Sequence, residues 1–256
     1  VAETEHATVA ALYRHPVKGF TPEPLAQARL SAGQAFPGDR LRAVEIGPCG
    51  FDPAAPAHIS KMRFTVLARL PRIARVVTRW DEESDTLFLS SPEAPDLAVR
   101  LAEPEDAGGL EAWLTDILGE DATAPLKLVD GAGHRFMDDP AGAVSLLNLA
   151  SVRDLSDRLG IDLDPLRFRA NVWVEGWDPW VENDWTGRQM ALGEARLSVV
   201  KPITRCVATH VDPATGTRDV DVVSALHDVY GHRWCGLYLS VQTGGDLRNG
   251  NRVELI

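Results

Sequence analysis

Short apolar runs with a two-residue period, each closed by Gly, Pro or Asp, fill most of this 256-residue chain. That pattern constrains the fold more than any other feature. "ATVAALYRHPV" alternates small, branched and aromatic residues and stops at Pro16. "LAQARLSAG" (Leu25 to Gly33) and "DRLRAVEIG" (Asp39 to Gly47) predict two more strands, split by the turn-rich "GQAFPG". "ARVVTRW" and "TLFLSS" flank "DEESD" as a hairpin, and "DLAVRLAEP" and "APLKLVDG" predict further strands. From Arg167 onward the pattern repeats in "FRANVWVEG", "MALGEARLSVVKPI", "CVATHVD", "WCGLYLSVQTGG" and "NRVELI".

Helical periodicity is confined to three places. Leu110, Trp113, Leu114, Ile117 and Leu118 recur at i, i+3, i+4, i+7 and i+8. "SLLNLASVRDLSDRLGI" predicts a second helix with Ser151 as N-cap, Asp154 in its first turn and Gly160 after it. "VVSALHDVYG" is a third, short one. Many short strands with few helices predict a mainly β (α+β), barrel-like architecture with helical decoration. A cluster of Gly, Pro and Asp between Asp121 and Pro140 marks a soft boundary between two lobes that share an interface, since no flexible spacer separates them.

The net charge of −11 argues against a nucleic-acid backbone binder, while leaving room for a local basic pocket that takes a small anion. Cys49, Cys206 and Cys235 are too few and too odd in number for a disulfide framework, so a reducing compartment is expected. No secretory signal and no apolar run of membrane-spanning length are visible, and the cytoplasm is the default expectation.

Four segments carry candidate chemistry. In "YRHPVKG", a strand end and proline stop present Lys18 and Gly19, an ammonium and an uncrowded backbone N–H suited to phosphate. In "PGDR", Arg40 opens a predicted strand. In "RFRANVWVEG", a strand would put Arg167, Arg169 and Asn171 on one face. In "VVKPITRCVATHVDPATG", Pro202 would end one strand and Cys206 would lie near the end of the next, beside Arg205 and Thr204, surroundings that favour a metal ligand or nucleophile. Each has a plainer reading too: a solvated lysine, a surface arginine, an arginine paired with a carboxylate of the protein itself, a small core thiol. Cys206/His210 and His232/Cys235 imitate zinc spacing, but the second pair falls in a strand, where an i, i+3 spacing points opposite ways. No G-x-S-x-G, P-loop or dinucleotide fingerprint is present.

Taken in order, "LYRHPVKG", "GDR", "RFRANVWVEG", "PWVENDW", "KPITRCVATHVDPATG" and "GGDLRNGNRVEL" resemble the MOSC superfamily. The first half resembles the β-barrel domain that precedes MOSC in bacterial YcbX-like proteins and in the mitochondrial amidoxime-reducing component. The resemblance implies an N-terminal β-barrel-like domain over residues 1–125 and a MOSC β-barrel over 126–256. It implies a molybdenum cofactor (Mo-molybdopterin) in a cleft between the lobes, with Cys206 as the thiolate on the metal and Arg205 beside it. Its phosphate- and pterin-binding positions carry over to Lys18, Arg40, Arg169, Asn171 and Thr204, while Asp212 would shape the turn that follows. Gly19 and Arg167 complete the expected cofactor-binding set.

The implied function is a molybdenum-dependent oxidoreductase that reduces N-hydroxylated or other oxo substrates. The alternative is a persulfide carrier or cofactor-delivery protein without redox turnover. The chain shows no cysteine cluster for an iron–sulfur domain and no pyridoxal-phosphate domain, so electrons are expected from a separate partner protein. Two departures from the family stand out: Gly19 replaces the serine usual in members with reductase activity, and "PAGAV" (Pro140 to Val144) replaces a hydroxyl-bearing turn.

Overall fold

The computed structural model describes residues 7–139 and 144–256, so the "PAGAV" turn lies largely outside the described residues. Among the described residues there are fifteen strands and three α-helices. In the first half these are β1 (Ala7–Arg14), β2 (Glu23–Leu25), β3 (Gln27–Leu30), β4 (Arg42–Ile46), β5 (Val77–Asp81), β6 (Thr86–Ser91), β7 (Ala94–Arg100) and helix α1 (Pro104–Leu118). The second half adds β8 (Leu126–Asp130), β9 (Val144–Asn148), α2 (Leu149–Leu159), β10 (Val172–Glu175), β11 (Gln189–Leu192) and β12 (Ala195–Thr204). It ends with α3 (Val222–Tyr230), β13 (Trp234–Thr243), β14 (Gly245–Arg248) and β15 (Arg252–Leu255).

Seven strands, in the order β10-β9-β13-β12-β11-β15-β1, close on themselves through the β1–β10 pairing, and β2 extends β1 outward. Closure leaves no free edge among these strands. The alternation of β13 explains its place: Cys235, Leu237, Leu239 and Val241 are buried while Tyr238 and Ser240 are only partly so. The barrel interior is filled by Val9, Leu12, Leu146, Val174, Leu197, Leu239 and their neighbours. The first lobe has its own core, in which α1 packs against β7 and β8 and its Leu110, Leu114 and Leu118 join one cluster with Val44, Leu87 and Val99. Burying each of those leucines contributes about 1.5–3 kcal/mol. The lobes are interleaved along the chain. β1 from the first half is a barrel stave, β3 pairs with β14, and β8, which begins just past the expected boundary at residue 125, pairs with β4.

The hairpin β5–β6 and the helices α1 and α3 fall where periodicity puts them. Five segments differ. The run Leu25–Gly33 divides at Ala26 into strands that join different sheets. The N-cap of α2 is Asn148, whose side chain accepts from the Ala150 N–H at 3.1 Å. Ser151 lies inside the helix, where its hydroxyl donates to Glu182 Oε1 at 2.8 Å and accepts from the Trp180 N–H at 2.8 Å. Arg167 to Asn171 are not a strand: Asp164 caps a 3-10 turn opened by Pro165, and Arg169 ends it in the left-handed region at φ 51°. Pro202 does not end β12, because it sits where the register with β13 shifts, a bulge position at which its missing N–H is tolerated. Val207–His210, expected as strand, is instead a 3-10 turn.

Candidate functional site

The one parallel pair of the barrel, β9–β10, needs a crossover, and α2 with the 3-10 turn Pro165–Phe168 supplies it. That return delivers Arg169 to the barrel mouth just before β10. On the neighbouring side β12 ends at Thr204. The Arg205 N–H donates to Arg233 O at 2.8 Å, and Cys206 follows in extended conformation as the N-cap of Val207–His210. The Thr209 N–H and Oγ1 donate to the Cys206 carbonyl at 3.0 and 2.9 Å. These bonds fix the backbone of a half-buried thiol that lines a cleft of about 310 Å³. Residues of the first half, Arg40 and Lys61, form part of its wall.

Six cationic side chains and only two carboxylates, Asp138 and Asp139, line the cleft, so its potential is positive inside an acidic molecule. Lys61 Nζ lies 3.3 Å from Cys206 Sγ and 3.4 Å from Asp138 Oδ2. A narrower recess of about 40 Å³ adjoins the cleft, lined by Lys18, Gly19, Arg40, Lys61, Asp138 and Arg169 among others. Lys18 Nζ is buried there, donates to Phe136 O at 2.8 Å and pairs with Asp138. Burial lowers the Lys18 pKa despite Asp138. Burial acts to raise Asp138, yet Lys18 and Lys61 hold its carboxyl well below the usual range. For Lys61 burial is likewise opposed, and Asp138 with Cys206 leaves its ammonium raised above the ordinary value.

Arg40, left-handed at φ 48°, receives no help from a regular strand; its N–H donates to His15 O at 2.6 Å and its guanidinium pairs with Asp39. Arg169 Nη1 donates to Phe20 O at 2.9 Å. Burial and then the Arg40 charge push the Arg169 pKa down to about 9, the mark of a cation held in a site with excess positive charge. Arg205 is anchored from two sides, Nε to Cys235 O and Nη1 to Phe168 O, both at 2.7 Å. Its Nη2 is buried without a hydrogen-bond partner. Room for that group depends on Gly236: a Cβ there would sit 3.1 Å from Arg205 Nη2 and 2.4 Å from Leu146 O.

The expected residues therefore divide. Cys206, Arg205, Thr204, Arg169, Arg40 and Arg167 line the main cleft, and Lys18 and Gly19 line the recess. Arg167, however, directs its guanidinium to Asp219 through two 2.7 Å bonds, the internal carboxylate partner that the sequence left open. Asn171 joins β1 to β9: Oδ1 accepts from the Ser145 N–H and hydroxyl at 3.1 and 2.7 Å, and Nδ2 donates to Tyr13 O at 3.2 Å. Asp212 organises its own turn, accepting from the Ala214 N–H at 3.0 Å and the Thr215 hydroxyl at 2.9 Å. The zinc pairs do not converge; His210 Nε2 faces Asp221 Oδ1 at 3.1 Å, and no group of three or more metal-ligating side chains occurs among the described residues. Sequence reasoning missed Lys61, Asp138 and Tyr238. Lys61 opens a short 3-10 turn, Lys61–Arg63, and Asp138 lies outside regular structure; neither belongs to a motif, and no signal in their surroundings would have found them.

The family described as "MOSC N-terminal beta barrel domain" matches residues 6–126, and the family described as "MOSC domain" matches residues 133–254. The chain belongs to the MOSC superfamily. Among its relatives, mitochondrial amidoxime-reducing component 1 of Homo sapiens is 25% identical over 302 aligned positions, covering 97% of this chain and 83% of that protein. Molybdenum cofactor sulfurase of Caenorhabditis elegans is 30% identical over 118 residues, 45% of this chain. The corresponding sulfurase of Anopheles gambiae is 37% identical over 108 residues, 38% of this chain. This MOSC protein spans only 16% of the nematode sulfurase and 14% of the mosquito one. Its relatives are thus associated with the molybdenum cofactor.

The residues present fit such a group. A phosphate-bearing anionic pterin requires buried cations and unsatisfied donors, and Arg169 and the unpartnered Arg205 Nη2 supply both around a soft sulfur. No helix among the described residues is long and apolar enough to cross a membrane.

Proposed function

We propose that the cleft holds a molybdenum cofactor with Cys206 on the metal, and that the protein is an oxidoreductase that removes oxygen from N-hydroxylated or similar oxo substrates. The observation that carries this reading is Cys206 Sγ, half-exposed in a cleft where cations outnumber carboxylates and one arginine N–H₂ group is buried without a partner. When bound, the cofactor supplies the two-electron redox chemistry; the protein supplies orientation and electrostatics. Lys18, Arg40 and Arg169 would hold its phosphate and pterin, with the Thr204 hydroxyl as a further donor at the rim. Arg205, fixed through Cys235 O and Phe168 O, keeps Nη2 available to an acceptor beside Cys206. Lys61 Nζ donates to Sγ and orients it. Arg167 and Asp212 act indirectly, by bracing the loop that follows Cys206.

A second reading, a persulfide carrier on Cys206, is favoured by the exposure of that thiol and by the similarity to cofactor sulfurases. Reduction of an aryl amidoxime to the amidine, driven by a reduced viologen dye, separates the two. The oxidoreductase turns over and loses activity in Cys206→Ser. A carrier gives no turnover, and cyanide releases about one thiocyanate per Cys206 thiol.

A further inference from the structure

Residues 53–80 hold six Lys or Arg residues and no Asp or Glu, in a chain whose net charge is −11. Five of those cations, Lys61, Arg63, Arg69, Arg72 and Arg75, lie in a segment built of two short 3-10 turns, Lys61–Arg63 and Pro71–Arg75, and the link between them. Their placement makes one continuous band. Arg69 Nη1 donates to Met62 O at 3.1 Å. Arg218, from the loop after Cys206, donates to Ala68 O at 2.8 Å. Arg72, Arg75 and Arg218 then line a common surface depression with Thr215, Gly216 and Thr217, where three arginines outnumber two carboxylates, Asp121 and Glu93, the latter paired with Arg75 at 2.8 Å. Several of these charges rest on backbone carbonyls: Arg63 on Pro48 O, Arg72 on Ile117 O, Arg218 on Ala68 O. Such contacts fix a guanidinium without neutralising it.

The band starts at the candidate site, because Lys61 touches Cys206 Sγ at 3.3 Å. The residues next to that contact are apolar and open: Met62 is 46% exposed and Val207 44%. An exposed apolar pair adjoining residues of the cleft wall, bordered by fixed positive charge, has the composition of a transient protein-docking surface.

We infer that this band, centred on Met62 and Val207 with Arg63, Arg72 and Arg218 around them, docks a small acidic electron-carrier protein. The inference rests on the oxidoreductase reading above for what the contact accomplishes. Breaking one substrate N–O bond to give N–H and water consumes two electrons and two protons. The carrier is oxidised by two electrons per turnover, and the protons come from water. An acidic carrier suits the band because like charge over the rest of the molecule disfavours any other face.

The test uses the full chain and an acidic FMN-bearing flavodoxin as probe. Its binding is measured by calorimetry at about 20 mM and about 200 mM salt, a range over which exposed charge pairs are progressively screened. The band variant is Arg63→Glu/Arg72→Glu/Arg218→Glu. A control, Arg29→Glu/Arg188→Glu/Arg248→Glu, makes the same charge change at exposed positions elsewhere. The expected result is wild-type binding that weakens with salt, at least about tenfold loss in the band variant, and a control much closer to wild type. Equal affinity in band variant and wild type, or no wild-type binding at low salt, overturns the inference. Should the charge-reversed chain unfold, the Gln triple at the same positions replaces it with the same criterion.

Dye-driven amidoxime reduction, run in parallel, keeps the two readings apart. Its absence in wild type sinks the oxidoreductase while the docking result stands by itself. If the band variant instead raises KM for substrate and leaves flavodoxin binding unchanged, the band serves substrate and the docking assignment is wrong.

Discussion

Acidification will destabilise this protein from near neutrality, well before its carboxylates titrate, because of His15. The imidazole is fully buried, and neither ring nitrogen has a hydrogen-bond partner. Burial first, and the Arg40 charge second, push its pKa from 6.5 down to about 3. Asp39 Oδ1, 3.4 Å from Nδ1, acts in the opposite sense and does not restore it. The unfolded chain therefore takes up a proton near pH 6.5 that the folded state refuses. Stability present above that pH is lost progressively as pH falls toward 3. Between pH 7 and pH 5 the loss from this one group is about 2 kcal/mol, at ~1.4 kcal/mol per pH unit once the unfolded histidine is protonated. Urea unfolding of wild type and His15→Phe at pH 7, 6 and 5 isolates the effect from the other titrating groups. Wild type should lose about 2 kcal/mol more than the variant over that range. Parallel pH profiles would refute the assignment of a neutral, proton-refusing His15.

Two further outcomes follow from the recess and the cleft. In Gly19→Ser, the new Cβ would meet Thr65 O at 2.0 Å with φ at +91°, so restoring the hydroxyl usual in the family costs about 2–4 kcal/mol and lowers Tm by roughly 5–15 °C; an unchanged Tm by calorimetry would mean the backbone there adapts freely. Arg167→Met should lower the urea midpoint by the equivalent of about 1–3 kcal/mol yet keep the pterin, whereas Arg169→Met should lose the pterin with little change in midpoint; the reverse pattern, read by pterin fluorescence and unfolding, would exchange their roles.

The barrel was legible in the chain because its strands obey a local rule: alternate residues face the interior, as in β13, and turn residues end each run. Helices α1 and α3 were legible for the same kind of reason. The segment Arg167–Asn171 was not, since its residue types suit a strand but Asp164 and Pro165 start a 3-10 turn, and the crossover after α2 forces Arg169 into the left-handed region. Pro202 misled because a proline inside β12 is allowed only at the bulge that β13 creates, a property of the pairing and not of either strand alone. The site was half legible. Cys206, Arg205, Arg40, Arg169 and Lys18 could be picked out as donors near predicted strand ends. Lys61 and Asp138 reach the site from segments 145 and 68 residues away from Cys206 in sequence, through contacts that no local pattern encodes. Arg167 and Asn171 stood out for the same polar character, and the structure adds what the sequence could not: internal partners, Asp219 and Ser145, through which they hold the barrel mouth together.

The most direct test of the central claim is the molybdenum and pterin content of the purified protein from a host that makes the cofactor, wild type beside Cys206→Ser. Near-stoichiometric molybdenum in wild type, with an absorption band that changes when the sulfur is replaced, is the predicted result. Wild-type protein free of both metal and pterin from the same competent host would contradict it.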